Sequence, residues 1–291
     1  MLLALLLAAP CAASEALDEG HAALLQTIDH LSGPTHHWRE RAARVDRAFD
    51  TYLLPQLGVL SERSTQDLRV LLQAIHAAAV AVKHPRYSTL ALRVGAELRA
   101  RGELQPADTR VGAIIAMLTR DARALSPTSP WGPAFNGRPL PQLPDAARAF
   151  EYWMPSPEAG GVHTATAQMA ELDIIVIAHP ACGFTRAAAD AAYADPELLQ
   201  MLSGGRTLWL SPQDGTLDTG IFSDWSERHS ELPIHIVARQ SDFPDIGYLG
   251  TPTFYILRDG SVVARVVGWP RGGNKAALRR ALGAAGISAV P

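Results

Sequence analysis

The sequence predicts an α/β domain, with helices flanking a mixed sheet, preceded by an all-α N-terminal domain. Residues 15–125 carry apolar side chains at helical spacing, whereas short apolar runs alternate with helical segments from residue 162 onward. The proline-rich stretch "SPTSPWGPAFNGRPLPQLP" lies between these two patterns. We therefore expect a helical domain over 15–125, a proline-rich connection over 126–161 and an α/β domain over 162–291.

The N-terminal stretch "MLLALLLAAPCAASEA" is apolar at first, then rich in small residues. This pattern is typical of a secretory signal peptide over 1–14, cleaved near Ala13 or Ser14, although the usual positive residues are missing. A buried first helix is the alternative interpretation. Export predicts a periplasmic or secreted protein of the bacterial cell envelope. Cleavage would also remove Cys11 and leave Cys182 as the single thiol of the mature chain.

The helical domain is predicted from four amphipathic segments. The clearest is "STQDLRVLLQAIHAAAVAV", in which Ser64 is a suitable N-cap. A second helix begins near Pro106 and carries its apolar face as far as Leu125, and "YSTLALRVGAELRARG" is a third that ends at Gly102. The fourth covers 38–61 with a break at Pro55. The shared spacing permits helical-pair repeats, but a small helical bundle is the favoured interpretation.

The connection over 126–161 is unlike an ordinary linker. Its prolines exclude a continuous helix or a central strand. Disordered linkers are usually poor in aromatic residues. This segment nevertheless contains Trp131, Phe135, Phe150, Tyr152 and Trp153. We therefore expect part of it to pack against a domain.

The C-terminal region predicts alternating strands and helices. A helical stretch, "TRAAADAAYADPELLQML", is interrupted near Pro196, and Asp259-Gly260 is a strong two-residue hairpin turn. Further helices are expected in "TGIFSDWSERHS" and in "NKAALRRALGAAG", which closes the chain. The predicted strands are "VHTATAQ", "DIIVIA", "RTLWLS", "PIHIVA" and the two arms of "TPTFYILRDGSVVARVVGW".

Composition and motifs argue against several functional classes. The formal net charge of -3 disfavours nucleic acid as a partner, and no later stretch is long and apolar enough for an integral membrane protein. We find no phosphate-binding glycine loop, dinucleotide fingerprint or nucleophile elbow, so no cofactor is expected. No metal site is expected either, because suitable spacing is lacking among His21, His30, His36 and His37.

Cys182 is the strongest candidate for chemistry. The buried strand ends near Ala178 and a helix begins near Cys182 or Gly183, so the thiol lies at a helix N-terminus that favours its thiolate. The helix dipole contributes about 0.3–1 kcal/mol, and one pKa unit corresponds to about 1.4 kcal/mol, so stronger activation requires hydrogen bonds or a cation. His179 is a candidate cation, and the hydroxyl of Thr185 is a candidate donor. A strand-end polar residue and an ordinary first-turn threonine are the alternatives.

Residues 162–286 resemble a thioredoxin-like domain. The resemblance depends on the junction Cys-Gly-Phe-Thr at 182–185, on "GTPTF" at 250–254, and on the hairpin followed by the terminal helix. It implies a cis peptide bond between Thr251 and Pro252. It also implies that these two residues lie beside Cys182 and bind an extended substrate there.

Two departures from the thioredoxin pattern limit the chemistry. Thr185 replaces the second cysteine of Cys-x-x-Cys, and Ala181 replaces the tryptophan common before the first. A monothiol remains able to exchange with a protein or peptide thiol or disulfide, and an outside thiol then resolves the adduct. The chain is therefore predicted to carry out thiol–disulfide exchange or to form a mixed disulfide with an envelope protein, with Cys182 as nucleophile. The alternative is a non-catalytic thioredoxin-fold binding or assembly protein of the cell envelope.

Overall fold

The computed structural model describes residues 9–135, 150–155, 162–215, 218–243 and 246–288. Most of the predicted signal peptide, residues 1–8, lies outside these ranges, as do 136–149 and 156–161 of the predicted connection. The chain divides into two compact units, and each is described by itself. Unit 1 comprises Met1–Gln142 and Asp214–Thr216, and unit 2 comprises Leu143–Gln213 and Leu217–Pro291.

Unit 1 is helical in its described part. Its α-helices are α1 (Ala9–His30), α2 (Trp38–Tyr52), α3 (Thr65–Val82), α4 (Pro85–Ala100) and α5 (Pro106–Leu118). Helix α3 packs against each of the other four, including α1, which is not its neighbour in sequence. Repeat arrays make contacts only between neighbouring repeats. Because α1 and α5 belong to the helical pairs on either side of α3, this packing is compatible with both the small bundle and helical-pair repeats.

Helix α3 begins where the sequence predicts. The Asp67 amide donates to Ser64 Oγ at 3.0 Å, and the Ser64 amide donates to the Asp67 carboxylate at 3.4 Å, so the two residues form a capping box. The predicted apolar face is buried from Leu68 to Ala79. Alanines on the adjacent faces are also buried, which lets the surrounding helices approach closely.

Two predicted helix boundaries in unit 1 are corrected. The segment predicted as a helix over 38–61 ends as an α-helix at Tyr52 and continues as 3₁₀ turns, in agreement with the predicted break at Pro55. Helix α5 ends at Leu118, so the apolar face predicted to reach Leu125 is divided between α5 and a separate 3₁₀ turn, Ala122–Leu125. Arg120 lies between them with φ of 56°, a left-handed conformation that no helix can continue through.

Trp131 shows that the proline-rich segment packs against a domain. Its side chain is 0% exposed and lies between α4 and α5. Gly95 of α4 and Gly112 of α5 both face this ring, and a Cβ atom at either position would overlap it. Glycine is costly inside a helix, but at these two positions it makes room for the indole.

Unit 2 contains a mixed sheet flanked by helices. Its described strands are β1 (Phe150–Pro155), β2 (Val162–Ala167), β3 (Ile174–Ile177), β4 (Thr207–Ser211), β5 (Ile234–Val237), β6 (Thr253–Arg258) and β7 (Ser261–Val267). They form one sheet in the order β2-β1-β5-β4-β3-β6-β7, in which β3–β4 and β4–β5 are parallel and the other pairs antiparallel. The helices are α6 (Gly183–Tyr193), α7 (Pro196–Ser203), α8 (Thr219–Arg228) and α9 (Lys275–Ala284).

Strand β1 corrects the predicted boundary of the connection. It lies within 126–161, which the sequence interpretation assigns to a connection without a central strand, yet it pairs with both β2 and β5. The prolines that argue against a strand lie elsewhere in that segment, and Pro155 occupies the last position of β1. Phe150 and Trp153, two of the aromatic residues singled out from the sequence, are buried on opposite faces of the sheet.

The four helices of unit 2 all pack into one core. The parallel strands advance in one direction from β3 to β4 to β5, so right-handed crossovers place α6, α7 and α8 on the same face. Helix α9 joins that core through Leu278 and Leu282. The opposite face packs against Phe243 and Ile246 from the segment that follows β5. The core therefore holds the C-terminal end of β3 and the N-terminal end of β6 in fixed positions.

We predict that Gly112→Ala destabilises unit 1 by about 1–3 kcal/mol, because the added methyl group must displace the buried Trp131 ring. Thermal unfolding of the full chain followed by circular dichroism measures the effect. Gly283→Ala in α9 is the control, because a Cβ atom there meets no atom within 4 Å and improves helix propensity. Equal midpoints for Gly112→Ala and the unmodified chain would contradict the packing described here.

Candidate functional site

Cys182 occupies the N-cap of α6. Strand β3 lies between β4 and β6, and its four residues are buried, so its C-terminal end is held firmly. The Cys182 backbone is extended, with φ of -79° and ψ of 119°, and α6 begins at Gly183. Its side chain makes no hydrogen bond of the kind that Ser or Asp makes at an N-cap. The sulfur therefore lies at the helix N-terminus, where the sequence places it.

The loop before β6 contacts this thiol. The Thr251–Pro252 peptide bond is cis, as the resemblance implies. The Cys182 thiol donates a hydrogen bond to the carbonyl oxygen of Thr251, with 3.4 Å between sulfur and oxygen. The structure thus brings together Cys182, Thr251 and Pro252, three of the residues that the sequence assigns to the site.

The loop over 248–252 is held by side chains of β6. The hydroxyl of Thr253 donates to the carbonyl oxygen of Gly250 at 2.6 Å. The hydroxyl of Tyr255 donates to the carbonyl oxygen of Tyr248 at 2.6 Å and accepts from the Tyr248 amide at 2.7 Å. Both donor side chains are buried, so the loop carries little freedom to move away from the thiol.

The surroundings of Cys182 lower the pKa of its thiol. Burial, the largest influence, raises the pKa because it disfavours the charged thiolate. Hydrogen bonds from the Thr251 side chain, from the backbone and hydroxyl of Thr185 and from the backbone of Phe184 favour the thiolate and together outweigh burial. The site is therefore able to hold a thiolate more readily than an unperturbed cysteine does.

Thr185 lies one helical turn beyond the cysteine and is 0% exposed. Its hydroxyl accepts a hydrogen bond from the His179 amide at 3.4 Å and contributes to the lowered pKa of Cys182. The role of Thr185 in supporting the thiolate stays a prediction. A buried hydroxyl at this position also links the end of β3 to the first turn of α6.

His179 is bound into the turn that precedes the helix. Its Nδ1 accepts from the Ala181 amide at 3.1 Å, and its carbonyl oxygen accepts from the Cys182 amide at 2.9 Å. The ring packs edge-on against Phe222, with ring centroids 5.7 Å apart. The ring thus holds the turn before α6 through Nδ1. The role of His179 as a cation for the thiolate stays a prediction.

Two further residues at this junction were missed by sequence reasoning. Phe184 directly follows the Cys-Gly pair and is 57% exposed, which is unusual for a large aromatic side chain. The guanidinium of Arg186 donates to the carbonyl oxygen of Pro180 at 3.2 Å and so stabilises the turn before Cys182. The spacing of Arg186, four residues after the cysteine on the same helix, was the available signal.

Other site types find no support within the described ranges. No group of three or more His, Cys, Asp or Glu side chains there is arranged to hold a metal ion. A search of the same residues for a helix with the length and hydropathy of a membrane span also finds none. The junction at Cys182 is thus the strongest candidate site.

No protein-family model, curated protein or solved structure matches this chain. The functional assignment therefore depends on the geometry and chemistry of the residues described above.

We predict that Cys182 is alkylated with a pH midpoint below that of an unperturbed cysteine, because the thiolate is the reacting form and the pKa of the thiol is lowered. Thr185→Val should move this midpoint to higher pH, because it removes the hydroxyl that favours the thiolate, whereas Thr185→Ser keeps a hydroxyl and should resemble the unmodified protein. The measurement is the rate of iodoacetamide incorporation between pH 5 and pH 10. Cys182→Ser corrects for labelling at Cys11, and equal midpoints in all Thr185 variants would rule out the proposed support.

Proposed function

We propose that unit 2 is a thioredoxin-like domain and that Cys182 exchanges thiols and disulfides with a protein or peptide partner in the cell envelope. The observation that carries this proposal is the contact between the Cys182 thiol at the N-cap of α6 and the Thr251 carbonyl, 3.4 Å away. Each of the three sequence features behind the resemblance has a counterpart in the structure: a strand–helix junction, a loop that meets it, and a hairpin followed by a terminal helix.

The exposure of the thiol favours exchange over a purely structural role. Cys182 is partly exposed and makes no disulfide. A fully buried, inert cysteine would instead favour the alternative, a non-catalytic binding or assembly protein. The lowered pKa adds to this preference, because thiolates are the attacking species in exchange reactions.

The proposed reaction balances without a further oxidant. The Cys182 thiolate attacks one sulfur of a partner disulfide and forms a new S–S bond with it. The second partner sulfur leaves with the bonding electron pair and takes up a proton from water. Because Thr185 stands where a resolving cysteine would be needed, release requires attack on the mixed disulfide by an outside thiol or by the partner's own freed thiol, which reverses the first step.

This lack of a second thiol gives the adduct a long lifetime. In a dithiol site the neighbouring cysteine attacks the mixed disulfide within the same molecule, at the high effective concentration of an intramolecular reaction. The hydroxyl of Thr185 cannot do so. The protein is therefore suited either to a slow monothiol cycle or to lasting capture of an envelope protein.

We predict that the chain, expressed with its own N-terminus in a bacterial envelope, accumulates partner adducts that Cys182→Ser does not form. Cells are acidified and alkylated to stop exchange, and the adducts are seen on non-reducing gels and disappear on reduction. Cys11→Ser is the matched control and should retain them. Adducts that persist in Cys182→Ser, or a complete lack of adducts in the unmodified chain, would refute the proposal.

We further predict that Thr185→Cys lowers the steady-state amount of these adducts, because a thiol at this position resolves the mixed disulfide from within. Thr185→Ser is the control, since it changes the same buried position without adding a thiol. The readout is the fraction of the protein in mixed disulfides on the same gels. An unchanged fraction in Thr185→Cys would argue against the proposed role of the missing second thiol.

A further inference from the structure

A groove of about 550 Å³ is lined at one point by Gly183, the residue that follows Cys182. One wall is the exposed side of α6, and the other is the segment between β7 and α9. The groove begins at Gly183, next to the thiol, and extends to Ala191, which is a distance of about 12 Å along a helix. Its position makes it accessible to whatever chain is joined to the sulfur.

The walls of the groove are mainly apolar. Phe184 at its mouth is 57% exposed, whereas Trp269 on the opposite wall is only 5% exposed and packs against Phe254 at a ring-centroid distance of 5.9 Å. Ala187 and Ala191 leave the space between these walls open, because their side chains are small. An exposed aromatic next to a concave apolar surface is typical of a binding site for a bulky apolar side chain.

The groove also carries positive charge. Arg271 lines it, and a second groove of about 650 Å³ continues from Gly272 and Gly273 along α9, where Arg280 lies. In the described part of the chain neither arginine forms an ion pair. The other two cations of the second groove are paired with carboxylates, since Lys275 contacts Asp195 at 2.9 Å and Arg279 contacts both Asp195, at 3.0 Å, and Glu197, at 2.8 Å. The unpaired arginines favour a negatively charged occupant.

We propose that this groove binds the partner chain beside its cysteine, and that it selects an extended segment that contains a bulky apolar residue and an acidic residue. The inference deepens the proposed function and rests on it. An extended chain advances about 3.3 Å per residue, so about 12 Å accommodates three or four residues. Both selected residues therefore lie within about four positions of the partner cysteine.

Synthetic peptides test the selection. Each carries one cysteine linked by a disulfide to 2-thiopyridine, followed by Phe and Glu, by Phe and Lys, or by Ser and Glu at the spacing given above. Attack of the Cys182 thiolate on the peptide sulfur forms the mixed disulfide and releases pyridine-2-thione, whose absorbance gives the rate. We expect the Phe–Glu peptide to react about five times faster than either of the others, as exposed charge pairs and partly buried side chains of this kind contribute about 1 kcal/mol each.

Variants of groove residues test which residues are responsible for the peptide preference. Arg271→Glu should reverse the preference so that the Phe–Lys peptide reacts faster than the Phe–Glu peptide, whereas Arg228→Glu, a charge reversal on α8, should not. Phe184→Ala should remove most of the difference between the Phe–Glu and Ser–Glu peptides. Val263→Ala is its control, because Val263 is also exposed but lies on β7 outside the groove.

The small neutral reagent 2,2′-dipyridyl disulfide distinguishes a failure of the groove inference from a failure of the proposed function. If Cys182 reacts with this small reagent but all peptides react at one rate, or if the groove variants leave the peptide preferences unchanged, the groove inference fails and the proposed exchange stands. If Cys182 reacts with neither the reagent nor any peptide, the proposed exchange fails, and the inference that rests on it fails as well.

Discussion

The candidate site depends on the antiparallel pairing of β3 with β6. Ile177, the last residue of β3, is opposite Thr253, the first residue of β6. This register brings the loop after β3 and the loop before β6 to the same edge of the sheet, and so places Cys182 against Thr251 although 69 residues separate them. A shift of one residue would turn the buried side chains of β6 to the other face, so the core fixes the register and thereby the site.

Opposing influences act on the protonation of the Cys182 thiol. Burial opposes the thiolate, and the helix dipole alone supplies too little energy to shift the pKa far. Hydrogen bonds from the Thr251 side chain, from Thr185 and from the Phe184 backbone favour the thiolate and outweigh burial. His179 contributes by holding the turn, through its bonds to Ala181 and Cys182.

Local sequence signals predicted the elements that are determined locally. Ser64 caps α3, and Asp259 and Gly260 adopt the positive φ angles of a tight hairpin turn.

Strand β1 was missed because its partner β5 is far away in sequence and its neighbours are rich in proline. The groove beside Cys182 could not be predicted, since it exists only where the segment after β7 meets α6. Gly95 and Gly112 are visible in the sequence, but the sequence does not show why these positions require glycine. The ring that they accommodate, Trp131, belongs to another segment.

Thr185 affects both steps of the proposed function, the attack on the partner and the release of the adduct. Its buried hydroxyl favours the thiolate, the form that would attack a partner, and the same residue occupies the place of the second cysteine of Cys-x-x-Cys, which would resolve the adduct. A cysteine at this position would be able to resolve the adduct, but it would lack the hydroxyl that favours the thiolate. Under the proposed function, any accessible disulfide can react with the sulfur. The choice of partner therefore depends mainly on contacts beside the sulfur. The apolar and cationic groove begins one residue after the thiol, where such contacts act on the partner before and after the covalent step.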